Sequence, residues 1–399
     1  SSSSLSEETA AARTRIWLNL PIRFWRCVRS GTGDGMADKK TVTIYDVAAA
    51  AGVSIATVNR ALNNKPRISE STRRLVIKVA EELGYTANKA AQALSRKTIK
   101  IGIIICDTIP EVQQGILSGM KKAISELSTL NVQCEIYFVE KKEGDRFSEY
   151  KKGFDKFRRD NVNGIIIFTG DQQPKQREEI DSLSKNGILT ATIVTDIPDS
   201  KRILSVRCNG FCEGKMAAEM LSLLIPGGKA AIFGSSEDVA ICAENIEGFK
   251  SGCRSLSLKV GPIFENRDDP RLAYDAVDRL VKEYPDVDGI YICSANSDSV
   301  CRRIEELGLV GKYKIVSTDL FEGVSLNMDK GIIHATLFQN LEKQGEVVVK
   351  TFYKMLCGEK AAATEEILFI PEIIMKSNKA FVLERSAKEN AIDKQNGFC

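Results

Sequence analysis

The 399-residue chain has one histidine, His334, and two tryptophans. A histidine-based zinc site or a Ser-His-Asp triad would depend on that residue alone. It lies in the strand-like run Ile332-Ile333-His334-Ala335-Thr336-Leu337-Phe338, where it reads as structural. None of the eleven cysteines forms a CxxC pair, which excludes a zinc ribbon or a thioredoxin-type centre. Most sit in apolar or helical contexts as small hydrophobes, and they are expected as free thiols of a reducing compartment. No stretch of about 20 apolar residues occurs, so no membrane span and no membrane partner are expected. There is no P-loop, no GxGxxG after a strand, no GxSxG and no zinc spacing. Gly227-Gly228-Lys229 lacks the earlier glycine of a phosphate loop. The tail after Ile373 has no leucine heptad, so no tetramer-forming coiled coil is indicated. No catalytic residues, cofactor or metal are expected.

Net charge is also scarce, only +3 overall. It is unevenly spread. Residues 36–100 carry twelve Lys/Arg against five Asp/Glu, a net of +7. Residues 1–35 carry +2 and the remaining 299 residues −6. A small basic head therefore precedes a large, mildly acidic body. A basic block that folds often binds nucleic acid, whereas an acidic body does not.

Residues 1–38 read as a disordered tail or an upstream extension. They open on Ser1 to Ser4 and reach Gly31-Thr32-Gly33-Asp34-Gly35, a flexible composition. Pro21, Arg23 and Arg26 interrupt the apolar run that a signal peptide needs.

From Thr41 to Lys97 the pattern is helical. Thr43 can cap a helix over residues 45–51, and Gly52 supplies the tight turn that a helix-turn-helix requires. Ser54 caps a second helix over residues 55–62, which Asn63-Asn64-Lys65-Pro66 breaks. Ser69 starts a third, ended by Gly84, with Leu75, Val76, Val79 and Leu83 expected inward. Val47, Ala51, Val53, Val58 and Leu62 complete a small shared core.

From Lys100 onward apolar runs alternate with amphipathic segments. Strands are expected near 101–105, 133–139, 164–168 and 189–194, and again near 229–233, 260–264, 289–293 and 314–317. Helices are expected over 115–127, 147–160, 180–186, 246–256, 272–283 and 299–307. Buried runs joined by helices imply parallel sheets. The strands are too many for one small sheet, so two doubly wound subdomains with a cleft between them are expected. Ligands of such sheets bind beyond the carboxyl ends of the strands. That rule selects Asp107, Asp171, Ser235, Asn296 and Asp319.

Specific motifs run through the head: Val42-Thr43-Ile44-Tyr45-Asp46-Val47-Ala48, Ala51-Gly52-Val53-Ser54, Thr57-Val58-Asn59-Arg60 and Leu62-Asn63-Asn64. They continue through Ile68-Ser69-Glu70-Ser71-Thr72-Arg73, Glu82-Leu83-Gly84-Tyr85, Asn88 and Ala91-Gln92-Ala93-Leu94. Together they resemble the lactose-repressor family of bacterial transcription regulators, over about residues 40–385 in order and architecture. The resemblance implies an α/β chain with an N-terminal helix-turn-helix head and hinge helix. These precede a two-subdomain body of periplasmic-binding-protein-like type, built on doubly wound parallel sheets. The expected boundaries are 1–38 for the tail, 39–86 for the head and 87–99 for the hinge. One subdomain is expected at 100–206 with 339–361, the other at 207–338 with 362–385, and a tail at 386–399.

In that family the second helix lies in the major groove. The resemblance turns Ile55, Ala56 and Arg60 toward base edges, where arginine can pair bidentately with guanine. It assigns Thr43, Tyr45, Ser54, Thr57, Asn63, Arg67 and Ser69 to the DNA backbone. Ala91 and Leu94 fall on the hinge, Leu94 as an apolar wedge in the minor groove. Effector contacts are expected from Asp107, Asp171, Asn245, Asn296, Asp319 and Gln339. The usual family arginine is Asn245 here, the usual serine of the recognition helix is Asn59, and the usual proline before Asn88 is Ala87. The aromatic residues of many sugar-responsive members are replaced by Pro110-Glu111-Val112-Gln113-Gln114.

The implied function is sequence-specific transcription regulation, expected to be repression, by a cytoplasmic homodimer on a pseudo-palindromic double-stranded DNA operator. Operator affinity would be controlled by a small ligand, expected to be a sugar or sugar derivative, bound between the subdomains. The alternative is a periplasmic-type sugar-binding transport component, which needs an export signal and leaves the head unexplained. An enzyme on the same scaffold lacks its motifs.

Overall fold

The structure, a computed structural model, describes residues 42–62, 66–85, 98–106, 108–140, 146–169, 173–358 and 364–385. The expected contacts of Asn63, the hinge residues Ala91 and Leu94, and the strand-end residues Asp107 and Asp171 lie outside the described residues. The head and the body form two separate compact units.

The head comprises helices α1 (Ile44–Ala51), α2 (Ile55–Leu62) and α3 (Glu70–Glu82). Short-range chemistry sets their starts. The Asp46 carboxylate accepts the Thr43 backbone N–H at 2.8 Å and the Thr43 hydroxyl at 2.7 Å. Ser54 Oγ accepts the Thr57 N–H at 3.2 Å, and Ser69 Oγ accepts the Thr72 N–H at 3.1 Å. Such caps satisfy N–H groups that have no partner inside the helix. Gly52 ends α1 at φ +63°, a left-handed conformation that a side chain would strain. Val47, Val58 and Val76 are fully buried at the centre, ringed by Ala48, Ala51, Ala61 and Ala80. Leu75 and Leu83, expected inward, are instead 48% and 38% exposed. Val76 and Ala80 are four residues apart and share the buried stripe of α3, and Leu75 lies about 100° round the helix from Val76.

The body opens with β1 (Ile99–Ile105), α4 (Pro110–Leu127), β2 (Val132–Phe138), α5 (Arg146–Arg159), β3 (Gly164–Phe168), α6 (Gln173–Lys185), β4 (Leu189–Ile193) and β5 (Leu204–Cys208). A second block follows: α7 (Gly210–Leu224), β6 (Lys229–Gly234), α8 (Ala240–Ser255), β7 (Lys259–Glu265), α9 (Pro270–Glu283), β8 (Gly289–Ile292), α10 (Ser297–Glu306), β9 (Lys314–Thr318), α11 (Glu322–Asp329) and β10 (Ala335–Phe338). The chain closes with α12 (Leu341–Leu356), β11 (Glu365–Phe369) and β12 (Glu372–Ile374).

Two six-stranded sheets result, ordered β11-β5-β4-β3-β1-β2 and β12-β10-β9-β8-β6-β7. The orders correspond strand for strand. All neighbours are parallel except β12 on β10. This is the doubly wound pair that the strand–helix alternation implies. The middle strands are buried on both faces: β3 and β8 are buried at every residue.

The chain passes between the sheets three times. Asn209 and Asn340 each end a crossing as the N-cap of the next helix, accepting the N–H of Cys212 and of Lys343. The first sheet extends further than expected at the first and third crossings. β5 runs to Cys208, past 206, and β11 pairs with β5 although residues 362–385 were expected in the second subdomain. The third crossing is therefore at Ile370 and Pro371. β11 is a half-exposed edge strand that opens on Glu365 and Glu366, and its apolar run, Ile367 to Phe369, is short.

Both crossing helices pack backbone to backbone. A Cβ on Gly119 of α4 would stand 1.7 Å from the Glu342 carbonyl oxygen of α12. A Cβ on Gly214 of α7 would stand 2.0 Å from the Asn245 carbonyl oxygen of α8. Such contact fits only glycine.

Candidate functional site

The head exposes both polar and apolar side chains on and around α2. Ile55, Ala56 and Arg60 of α2 are exposed, as are Tyr45, Ser54, Arg67 and Ser69 around them. Tyr45 is 68% and Ile55 40% exposed. Thr57 is half-buried, its hydroxyl 2.9 Å from Ser54 Oγ. Thr43 is exposed, but its hydroxyl is already engaged by Asp46. Arg73 of α3 reaches back to the end of α2, donating to the Ala61 carbonyl at 3.3 Å and the Arg60 carbonyl at 3.4 Å. These bonds fix the C-terminal turn of α2 and leave the Arg60 side chain outward. Asn59 was not among the expected contacts. It is exposed on the same face, four residues after Ile55, a position helical periodicity alone indicates.

In the body, a cavity of about 810 Å³ lies at the carboxyl ends of the strands of both sheets. The first sheet lends it Cys106, Thr108, Phe168, Thr169 and Thr195, and the second lends Ser235, Ser294, Thr318 and Asp319. Of the expected effector residues, Asn245, Asp319 and Gln339 line it. Asn296 does not: it is buried, and its Nδ2 donates to Asn266 Oδ1 at 3.3 Å. Ser294, two residues earlier, occupies the wall and accepts the Asn266 amide at 2.8 Å. Asn296 thus supports the wall from behind, because the turn after β8 directs it toward the β7 end.

Asp319 sits at the tip of β9 in the left-handed region, φ +64°, which aspartate tolerates better than most residues. Its N–H donates to the Leu337 carbonyl at 2.9 Å, and the Thr336 hydroxyl donates to its carbonyl. Its carboxylate Oδ1 is buried without a hydrogen-bond partner, as is Asn245 Oδ1. Burial pushes the Asp319 carboxyl up to about 7. A buried acceptor left unpaired is costly, so such atoms at a cavity wall suit a ligand's donors.

Behind the wall lies a carboxylate that the sequence did not single out. Glu213, in the first turn of α7, is fully buried. It accepts the Thr318 hydroxyl at 2.8 Å and the Gln339 Nε2 at 2.9 Å. Burial, reinforced by the Asp319 charge, pushes it up to about 8. The Cys208 thiol, at the end of β5, also bonds to it and is itself raised by burial. One side chain thus gathers the first crossing, the second crossing and the end of β9. No sequence signal marked it, because α7 itself was not expected.

His334 is half-buried, its Nδ1 accepting the Ile315 N–H at 3.3 Å, and burial lowers its pKa. The nine cysteines among the described residues are free thiols. Among those residues no group of three or more His, Cys, Asp or Glu could hold a metal ion. None of the described helices is long and apolar enough to cross a membrane.

A helix-turn-helix head joined to a two-sheet body with a polar cavity at the strand ends defines a DNA-binding regulator controlled by a small ligand. The model of the bacterial regulatory proteins of the lacI family matches residues 43–88, and that of a periplasmic binding protein domain matches residues 117–360. The HTH-type transcriptional regulator DegA of Bacillus subtilis (strain 168) is 35% identical over 157 residues, 39% of this chain and 44% of that protein. Catabolite control protein A of Priestia megaterium is 28% identical over 261 residues, 61% of this chain and 70% of that protein. The crystal structure of the Lac repressor bound to ONPG in its repressed state superposes with a TM-score of 0.59. It is 19% identical, over 84% of this chain and 98% of that one, so this likeness speaks for the fold alone. The chain belongs to the lacI family of bacterial regulatory proteins.

Proposed function

We propose that this regulator acts in the cytoplasm as a homodimer on a pseudo-palindromic operator and is switched by an uncharged, hydroxyl-rich ligand such as a sugar. The observation that carries the ligand reading is the pair of buried, unpartnered acceptors, Asp319 Oδ1 and Asn245 Oδ1, at the wall of the cavity. Acceptors of this kind take hydroxyl or N–H donors. The charge of the lining supports a neutral ligand over a phosphosugar. Among the described lining residues, Asp238, Asp268, Asp269 and Asp319 face a single arginine, Arg267. An anion would meet net repulsion there.

Arg60, Ile55 and Ala56 read bases in this proposal, while Tyr45, Ser54, Thr57, Arg67 and Ser69 hold the phosphates. One such head reads few base pairs, which supports two-fold symmetry. Control follows from linkage. A ligand that favours one arrangement of the two subdomains shifts operator affinity by its differential affinity for the two states. Glu213 bonds to Cys208 at the first crossing and to Gln339 at the second, which supports a role in sensing that arrangement.

The test is a thermal-shift screen of sugars, phosphosugars and purines on wild type and Asp319→Ala, since ligand bound only by the folded state raises the melting temperature. A neutral sugar should stabilise wild type and leave the variant unmoved. A hit that stabilises both equally would place the ligand elsewhere. Footprinting on the native genome tests the DNA half, and no protected palindrome would sink it.

A further inference from the structure

Cys242 and Cys293 are far apart in sequence and meet beside the cavity. Cys242 lies in the first turn of α8, and Cys293 directly follows β8, its N–H donating to the Phe233 carbonyl at 2.9 Å. Their thiols hydrogen-bond each other. Both sulfurs also crowd one backbone position: a Cβ on Gly234, at the end of β6, would stand 2.9 Å from Cys242 Sγ and 3.4 Å from Cys293 Sγ. Cys293 is 7% exposed and lines the cavity, and Cys242 is 1% exposed behind it.

The environment distinguishes the two sulfurs. The Cys293 thiol, the Ser235 hydroxyl and the backbone N–H groups of Ser235 and Ser236 all direct donors at Cys242, and together they lower its pKa. Cys293 is raised, by the same hydrogen bond and by burial. A thiolate is the reactive form, so one sulfur is set up to attack and the other to follow.

We propose that Cys242 and Cys293 form a redox-active dithiol at the effector cavity, converted by a peroxide to an intramolecular disulfide. The Cys242 thiolate attacks one peroxide oxygen and breaks the O–O bond. This gives a sulfenic acid and a hydroxide, which takes up a proton to become water. The Cys293 sulfur then attacks the Cys242 sulfur, and the S–OH oxygen leaves as a second water carrying the Cys293 proton. In sum, two thiols and one peroxide give one disulfide and two waters. A small, neutral oxidant is required, because Cys242 lies behind Cys293. The bond draws the start of α8 toward the end of β8. Asn245, one turn further along α8, lines the cavity, so oxidation alters the wall that meets the ligand.

The experiment treats the full-length protein with hydrogen peroxide at neutral pH, blocks remaining thiols with an alkylating agent, and maps the digest by mass spectrometry. The expected result is a Cys242–Cys293 cross-linked peptide pair, two hydrogens lighter than its parts and released by a dithiol reductant. It should appear while circular dichroism still reports a folded chain. In Cys293→Ser, a sulfenic-acid probe should label Cys242. In Cys242→Ser, Cys293 should remain an alkylatable thiol. Should either variant fail to fold, the wild-type map decides alone. Oxidation of the less buried Cys212 and Cys357 with both Cys242 and Cys293 still alkylated would overturn the proposal. So would a cross-link seen only once the chain has unfolded.

Discussion

Gln339 Nε2 donates to Glu213 at 2.9 Å across 126 residues of sequence, tying the second crossing to the helix that follows the first. The bond lies where the two subdomains exchange chain, and its acceptor is a fully buried carboxyl. The stability of the body is therefore linked to protonation there.

Glu213 is raised to about 8 and Asp319 to about 7, against ordinary values of 4.5 and 3.8. A carboxyl raised in the fold contributes stability that is complete below its unfolded pKa. That stability is lost as pH climbs through the folded value. Body stability should thus decline by a few kcal/mol between about pH 4 and pH 8 and then level off. Glu213→Gln, which mimics the protonated side chain, should flatten this decline. Denaturant melts across the range measure it, and parallel curves for wild type and variant would show that Glu213 is not the group responsible.

Asp319 illustrates a trade between binding and stability. Its buried Oδ1 has no hydrogen-bond partner. Asp319→Asn removes a buried charge, so the ligand-free protein should gain about 1–3 kcal/mol above neutral pH. The same variant should lose its ligand-induced thermal shift. A variant that is less stable at alkaline pH would contradict the unpaired-charge account.

Arg60→Ala tests the head. Its side chain is exposed and its carbonyl is held by Arg73, so truncation leaves α2 intact. Operator affinity should fall by roughly 1–3 kcal/mol, with little change on random DNA at the same salt. Fluorescence anisotropy on both duplexes gives the ratio. An equal loss on both would assign Arg60 to phosphate instead.

The glycine contacts of the two crossing helices predict a steep packing effect. Gly119→Ala and Gly214→Ala each force a methyl group onto a carbonyl oxygen of the facing helix, and should cost about 3 kcal/mol or more. Gly187→Ala meets no atom within 4 Å and is strained only by its φ of +75°, so about 1 kcal/mol is expected. Thermal melts of the three variants rank them, and equal losses would mean that the helices can move apart.

Much of the molecule was legible from the chain alone because its signals are local. Caps at Thr43, Ser54 and Ser69, the turn at Gly52 and the apolar runs of the central strands each depend on a few neighbouring residues. Short-range hydrogen bonds and burial periodicity reveal such features. The edge strand β11 and the helices α7 and α12 were missed for the opposite reason. β11 and α12 pack on elements distant in sequence, β5 and α4, which no local pattern indicates. Asn296 was expected at the cavity by its place after β8, and only the turn geometry sends it to Asn266 instead.

By itself, then, the sequence determined the helix-turn-helix and the repeated parallel sheets, since periodicity and capping are properties of contiguous residues. Tertiary structure alone decided which side chains share the cavity. It placed Glu213 behind Thr318 and Gln339 and brought Cys242 against Cys293. The packing of the second sheet and its helices, with Gln339 from the second crossing, brings these groups together, and the protonation of the two carboxyls follows from burial, which no local stretch of sequence encodes.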